Sequence, residues 1–322
     1  AGTAGNTLTV AAGTGDVTFT GAIGGSTAMG NITITTGALS AAAIKVQGTI
    51  DITNSDTSSI TGIISDGASS AILTKAGSGT LTLSGNNTYT GQTNINAGII
   101  SITDNNSLGT SAGATIVADG ASLSISNDIT SPENITISGT GISSNGAIRN
   151  TADDNTLTGL ITLGANSEIQ IDSGSSLTLN PTTGSAITGT YNLTIESVGT
   201  SSINDPIATS TGNLIKTGAG TLNLSGTNTY TGDTTISNGT IKLTGAVNTA
   251  TDLIIASGAT LDLQATQTFA TLDLDGTISR TAGSSELTIS GTSDLGGSIT
   301  TSGTQDYEGA VTVTGNSTLT TT

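Results

Sequence analysis

A segment of 30 residues occurs twice in this chain, and it restricts the fold more than any other feature of the sequence. The two copies are residues 73–102 and 214–243, which lie 141 positions apart and align without a gap. Beyond them, residues 119–125 match residues 257–263 at an offset of 138, so the two blocks differ by three residues in between. Such a change in length is typical of a surface loop.

The rest of the chain has the same character as the two copies. We find no shift in composition that would mark a linker, so we predict a single repetitive segment over residues 1–322. Its repeat blocks lie near residues 73–125 and 214–263.

Short strands with alternating apolar residues are the local unit of the chain. Each begins near a glycine and carries two aliphatic residues two positions apart, with Thr or Ser between them. This alternation predicts strands that bury one face. The pairs are Leu81/Leu83, Ile100/Ile102, Leu123/Ile125, Ile135/Ile137, Leu177/Leu179, Leu222/Leu224 and Val311/Val313.

Two all-β architectures fit such strands: a parallel β-helix, or an array of β-sandwich-like modules. A period of 141 residues is long for a sandwich module of about 100 residues. Aromatic residues make up only 2% of the chain, whereas a sandwich core usually contains several. The sequence therefore favours a parallel β-helix, with about 22 residues per turn and about 15 turns at a spacing of about 4.8 Å.

Composition excludes several function classes. The chain has no Cys and no His, so it can form neither a Ser-His-Asp or Cys-His catalytic arrangement nor a Cys/His zinc site. The net charge of −17 argues against nucleic-acid partners. No apolar stretch reaches the length of a membrane span, so we predict no membrane insertion by this segment. We predict no enzymatic activity and no cofactor.

Acidic residues form two clusters in the sequence, one in a predicted strand and one in a predicted loop. Asp273 and Asp275 alternate along a predicted strand, and we interpret them as a solvated strand face. Asp153 and Asp154 lie in the predicted loop 150–155, where a weak calcium site is the alternative to a plain turn.

The predicted structural positions of the repeat are its glycines and tyrosines. The glycines suit positive φ angles or close backbone approach. For the tyrosines we favour a corner residue that covers the end of a turn over a sugar-stacking platform, and we interpret Lys75 and Lys216 as stabilising turns. The structural residues are Gly77, Gly79, Gly85, Tyr89, Gly91, Gly98, Gly218, Gly220, Gly226, Tyr230, Gly232 and Gly239.

The phrase that begins at Lys75 and its twin at Lys216 resemble the autotransporter-associated β-strand repeat, which has the form K-x-G-x-G-T-L-x-L-x-G-x-N-T-Y-T-G-x-T-x-I. The stretches between and beyond the copies look like repeats of large surface proteins of the filamentous haemagglutinin kind. This resemblance implies a right-handed β-helical stalk, exported across a Gram-negative envelope and displayed at the cell surface, with no catalytic residues.

The expected function is therefore a structural or adhesive segment of an exported bacterial surface protein. The expected partner is a host-surface or glycan receptor. The alternative is a subunit that associates end to end into an extracellular filament by pairing open strand edges.

Overall fold

The computed structural model describes residues 5–322, which form two compact units. Unit 1 ends at Thr162, and unit 2 is Leu163–Thr322. The prediction of one uniform segment concerns the sequence pattern and stays a prediction.

Short β-strands account for nearly all of the regular structure in both units. The strands of unit 1 are β1 (Leu8–Ala11), β2 (Val17–Phe19), β3 (Ile32–Thr36), β4 (Leu39–Ala41), β5 (Ile44–Val46), β6 (Thr49–Asn54), β7 (Ser58–Ile60), β8 (Ile64–Asp66), β9 (Ile72–Ala76), β10 (Thr80–Leu83), β11 (Thr93–Ile95), β12 (Gly98–Ile102), β13 (Thr115–Val117), β14 (Ala121–Ile125), β15 (Thr130–Ser131), β16 (Ile135–Gly139), β17 (Ile148–Asn150) and β18 (Asp154–Leu157). A single 3-10 turn, Ile142–Ser144, is the helical element of the described residues.

Strand β19 (Ile161–Ile171) contains the boundary between the units, and the strands after it belong to unit 2. These are β20 (Ser176–Leu179), β21 (Ile187–Thr188), β22 (Leu193–Ser197), β23 (Thr200–Ile203), β24 (Ile207–Ala208), β25 (Leu214–Thr217), β26 (Thr221–Leu224), β27 (Thr234–Ile236), β28 (Thr240–Leu243), β29 (Leu253–Ile255), β30 (Thr260–Leu263), β31 (Gln267–Phe269), β32 (Leu272–Leu274), β33 (Thr277–Ser279), β34 (Leu287–Ile289), β35 (Ser293–Leu295), β36 (Ser298–Thr301), β37 (Gln305–Tyr307), β38 (Val311–Val313) and β39 (Thr318–Thr321).

Each unit is a parallel β-solenoid, in which a strand pairs with the equivalent strand of the next turn. In unit 1 one face stacks β1, β3, β6, β9, β11, β13 and β16, with 18 to 24 residues from one strand to the next. In unit 2 the corresponding face stacks β19, β22, β25, β27, β29, β32, β35 and β38, at steps of 18 to 26 residues. Seven turns in unit 1 and eight in unit 2 agree with the predicted number of about 15. The β-helix is confirmed over the alternative of sandwich modules.

Two further faces complete each turn. The second face of unit 1 includes β10, β12, β14 and β17, and that of unit 2 includes β20, β23, β26, β28 and β30. The third face has shorter pairs, such as β5 with β8 in unit 1 and β31 with β34 in unit 2. In residues 5–322, no helix has the length and apolar character that crossing a membrane requires.

The core lies between these faces and consists of columns of inward-facing side chains. Ile32 stacks on Ile50, which in turn stacks on Leu73, and all three are fully buried. Burying one such side chain stabilises the fold by about 1.5–3 kcal/mol. The predicted inward pairs are buried in both units apart from Val311 and Val313, which are 45% and 63% exposed. The predicted strand is confirmed there, and β38 pairs with β35.

The glycines of the two copies lie where the backbones of successive turns come closest. A Cβ atom on any of the ten predicted positions would come within 3.0 Å of the backbone of a residue 20 to 23 positions earlier. Four of them also have φ angles between 71° and 76°, a region that L-residues rarely adopt. These four are Gly77, Gly98, Gly218 and Gly239.

We predict that Gly79→Val lowers the free energy of unfolding by more than about 2 kcal/mol, because its side chain would overlap the backbone of Asp56 in the preceding turn. Thr82→Val, on the partly exposed outer side of β10, should change it by less than about 0.5 kcal/mol. Thermal and urea unfolding of the two variants make the comparison. Equal midpoints would contradict the assignment of Gly79 to a close approach between turns.

Candidate functional site: the buried network of the two repeat copies

The two copies of the repeat are alike inside and different outside. In residues 73–102, 13 positions are buried, and 12 of these carry the same residue in the second copy. Of the 17 positions that are not buried, only 6 are identical. The exception among the buried positions, Ile102 against Leu243, is a change between two aliphatic residues. The residues that the two copies share are therefore mainly buried ones, and the candidate functional site of the repeat lies in the interior.

The lysine of each copy points into the core. Lys75 lies in register between Ile52 and Ile95, in a column that is otherwise aliphatic, and none of its surface is exposed. Its Nζ atom donates to the carbonyl oxygens of Ala76 at 2.8 Å, of Gly77 at 2.9 Å and of Ala97 at 3.2 Å. The ammonium group of Lys75 thus donates hydrogen bonds to carbonyl oxygens at the end of β9 and in the turn that follows it, and to one in the equivalent turn 22 residues later. This extends its predicted role in stabilising turns.

Lys216 repeats this arrangement in unit 2. It lies in register between Ile195 and Ile236 and is fully buried. Its ammonium group donates to four carbonyl oxygens, at 2.5 to 3.4 Å. The acceptors are Ser197, Thr217, Gly218 and Asn238.

The backbone around the lysine explains one of the glycines that the copies share. A Cβ atom on Gly98 would lie 2.3 Å from the carbonyl oxygen of Gly77 and 2.5 Å from that of Gly79, so this position requires glycine. Burial lowers the pKa of both lysines from the ordinary value of 10.5 to about 8. At neutral pH the charged form is retained, and the surrounding carbonyl oxygens accept its hydrogen bonds.

An asparagine holds the third face of each copy to its neighbours. The Asn87 Oδ1 atom accepts from the backbone N–H of Ile64 at 2.7 Å, and its Nδ2 atom donates to the carbonyl oxygen of Ser107 at 2.5 Å. Asn228 does the same in unit 2, accepting from Ile207 and donating to Ala246. One side chain therefore bonds the turn before it and the turn after it. Sequence reasoning missed these residues, although the invariant Asn before Thr-Tyr in both copies was the available signal.

The tyrosines are core residues, not surface residues. Tyr89 and Tyr230 have no exposed surface, and their hydroxyl groups bond the Oγ1 atoms of Thr93 at 2.6 Å and Thr234 at 2.8 Å. Burial raises the pKa of both phenol groups. A sugar-stacking platform needs an exposed ring, so that interpretation is wrong. Each tyrosine lies in the connection between two strands, as the favoured interpretation as a corner residue expects, and its ring is buried there.

A buried carboxyl group extends the polar interior of unit 1. Thr93 is the register partner of Thr115, and the Thr115 hydroxyl donates to the Glu133 Oε1 atom at 3.0 Å. Burial raises the pKa of Glu133 from 4.5 to about 7. Because the folded-state pKa is the higher one, the stabilisation from protonated Glu133 is complete below pH 4.5 and is lost as the pH rises through 7.

The acidic clusters noted in the sequence lie on the outside. Asp273 is exposed on β32, and Asp275 is exposed in the bend after that strand. Burial of a small part of its surface, followed by repulsion from Asp275 and Asp294, raises the pKa of Asp273. Among residues 5–322, no three acidic side chains converge in a way that could hold a metal ion.

The loop predicted over residues 150–155 is shorter in the structure. Strand β18 begins at Asp154, so only the preceding residues form the turn, and Asp153 adopts a φ angle of 64°. The Asp153 carboxylate accepts from the backbone N–H of Asn127 at 2.9 Å, and the backbone N–H of Asp154 donates to Asp128. The pair therefore connects neighbouring turns, which is the plain structural interpretation.

The fold and the buried network define a class of protein. It is a parallel β-solenoid built from repeats, and the residues that the repeats share are mostly buried. Comparison with known families agrees, because the model of the passenger-associated-transport-repeat matches residues 73–102 and 214–243. These two segments therefore match a passenger-associated repeat, which confirms the resemblance found in the sequence.

One curated relative extends the match beyond the two copies. The chain is 27% identical over 198 residues to the adhesin BmaC autotransporter of Brucella suis biovar 1 (strain 1330). The alignment covers 61% of this chain but only 4% of that adhesin, so the chain spans a small part of its relative's length. No solved structure matches the chain significantly.

We predict that Asn87→Ala lowers the free energy of unfolding by about 2 kcal/mol or more, since it leaves the Ile64 N–H and the Ser107 carbonyl oxygen buried without partners. The neighbouring Asn86 is exposed and provides the matched control, because Asn86→Ala should cost less than about 0.5 kcal/mol. Urea unfolding followed by circular dichroism measures both. A control as destabilised as the buried variant would rule out the proposed bridge between turns.

The lowered pKa values of Lys75 and Lys216 predict that the free energy of unfolding depends on pH in the alkaline range. Because their folded-state pKa is about 8 and the ordinary value is 10.5, the unfolded chain binds more protons in this range. The free energy of unfolding should therefore rise from pH 8 to pH 10, by about 1–2 kcal/mol per lysine.

Thermal unfolding across this pH range tests the prediction with three proteins. The wild type should show the rise, whereas the double variant Lys75→Met/Lys216→Met should be less stable and lack it. Lys45→Met removes an exposed lysine and should keep the wild-type slope. A double variant with an unchanged slope would show that other groups cause the dependence.

Proposed function

We propose that this chain is a structural, adhesin-like passenger segment of an exported bacterial surface protein, displayed outside the cell as a stalk or passenger. The observation that carries the proposal is the division between identical buried residues and variable exposed residues in the two copies. Such a repeat specifies a solenoid and leaves its outer surface free to differ. A structural scaffold needs a constant interior and tolerates a variable surface. A catalytic site would instead need the same exposed residues in each copy.

The outer surface supports the same function. The chain is strongly acidic, with a net charge of −17, and its exposed strand positions carry mostly Thr, Ser, Asn and Asp. Like charges and hydrated side chains keep parallel sheets from associating laterally. The name of the relative, an adhesin, supports a binding role, and the partner that we propose is a host-surface or glycan receptor.

The proposed role is non-enzymatic. The side chains that the copies share are occupied in bonding neighbouring turns, which leaves them no free surface for a substrate. A subunit that polymerises end to end is the alternative, and the comparisons do not favour it. Sedimentation velocity over a hundredfold range of concentration separates the two, since a passenger segment should remain one species whereas a filament subunit should grow.

Surface display tests the proposal directly. The chain would be placed between a signal peptide and the translocator domain of an autotransporter and produced in a Gram-negative host. We expect the chain to become accessible to antibody and protease on intact cells, and displaying cells to bind cultured host cells or a glycan array more strongly than cells with the translocator alone.

Matched variants make the result specific. Asn87→Ala should reduce the displayed, protease-resistant chain, while the exposed Asn86→Ala should leave it unchanged. Retention of the wild-type chain inside the cell would contradict the exported location. Display without any gain in binding would reduce the proposal to a stalk that positions other parts of the protein.

A further inference from the structure

The sequence contains two Asn-Gly pairs, Asn145-Gly146 and Asn238-Gly239. Such a pair is open to spontaneous deamidation, because glycine has no side chain to shield its main-chain nitrogen. In that reaction the nitrogen of the glycine attacks the side-chain amide carbon of the asparagine. The two atoms must lie close together for the attack, so the structure decides which of the two pairs can react.

Asn238 has the arrangement that the reaction needs. The Gly239 N–H group donates to the Oδ1 atom of Asn238 at 2.7 Å, so the nitrogen lies beside the amide carbon that carries this oxygen. The Gly239 nitrogen precedes the strand pairing, because β28 begins at Thr240. Asn238 itself is exposed, so water can reach the reacting groups.

Asn145 lacks this arrangement. The N–H group of Gly146 donates to the main-chain carbonyl oxygen of Thr140 at 2.8 Å, so its nitrogen is engaged away from the asparagine side chain. Gly146 is also buried. The first repeat copy carries Ala97 at the position of Asn238 and has no amide group there. The chain therefore contains both an unreactive pair of the same sequence and a natural replacement for the reactive asparagine.

A buried lysine binds the second carbonyl group of the reacting pair. The Lys216 Nζ atom donates to the main-chain carbonyl oxygen of Asn238 at 3.3 Å. This carbonyl group becomes part of the succinimide ring that the attack of Gly239 forms. A positive charge at its oxygen draws electrons from its carbon, which favours attack of water there over attack at the side-chain carbonyl carbon. Opening the ring at the main-chain carbon gives isoaspartate, and the carboxylate that it releases is the group that Lys216 already binds.

We propose that Asn238 is a site of spontaneous deamidation and that Lys216 directs its product towards isoaspartate. In the first step a bond forms between the Gly239 nitrogen and the Asn238 Cγ atom, the Cγ–Nδ2 bond breaks, and ammonia leaves with the proton of the Gly239 N–H group. In the second step water adds to the main-chain carbonyl carbon, the bond from this carbon to the Gly239 nitrogen breaks, and the nitrogen takes up a proton. An amide group and water are thus converted to a carboxylate and ammonium, and the main chain becomes one carbon atom longer at this point.

Peptide mapping by mass spectrometry tests the site on the 322-residue chain. After incubation of the folded chain in mildly alkaline buffer, the peptide with Asn238 should gain one mass unit at about ten times the rate of the peptide with Asn145, or faster. In urea, where both pairs lose their structure, the two rates should become similar. Asn238→Ala introduces the residue of the first copy, so it should abolish the modification and keep the wild-type thermal midpoint. No mass gain at Asn238, or equal rates at the two asparagines in the folded chain, would overturn the proposal.

The ratio of isoaspartate to aspartate at position 238, measured by electron-transfer fragmentation, tests the role of Lys216. The ratio should be higher in the folded chain than in urea, and Lys216→Met should lower it by about twofold or more. Lys75→Met makes the same change in unit 1 and should leave this ratio unchanged. Equal ratios for the folded wild type and the chain in urea would contradict the role of Lys216 even if Lys216→Met does not fold. Since these measurements use the isolated chain, their outcome does not depend on whether the chain is displayed on cells.

Discussion

The parallel pairing of each turn with the next is the interaction on which the rest of this structure depends. It places every residue directly above one that lies 18 to 26 positions earlier, so each side chain meets its equivalent from the neighbouring turn. Like side chains then form columns, and the columns form the core. The same pairing brings backbones together at the corners, where a side chain has no room and glycine is required.

Polar residues within this stack follow from the same geometry. A turn that leaves a ladder has carbonyl and N–H groups that must find partners inside the protein, since an unpaired buried group costs about 1–3 kcal/mol. Lys75 and Asn87 satisfy such groups in the first copy, and their equivalents do so in the second. Because a slip in register would separate Asn87 from Ile64 and Ser107, the asparagine also selects one alignment of the turns.

The separation of interior and exterior connects the fold to the proposed function. The outward positions Asn86 and Thr227 occupy the same place in the two copies but differ, since neither belongs to the buried hydrogen bonds that the copies share. The interior can therefore be copied along a long protein while the surface changes.

The sequence by itself determined the class of fold, the number of turns and the place of the glycines, because alternation and repetition are properties of the chain that a parallel stack preserves. It did not place Lys75 and Tyr89 inside, since their polar ends suggest surface positions until their partners are known. It missed Asn87 and Glu133 for the same reason. Their partners lie 18 or more residues away. Only the tertiary structure decides which residues of successive turns meet, because the lengths of the connecting loops set that register.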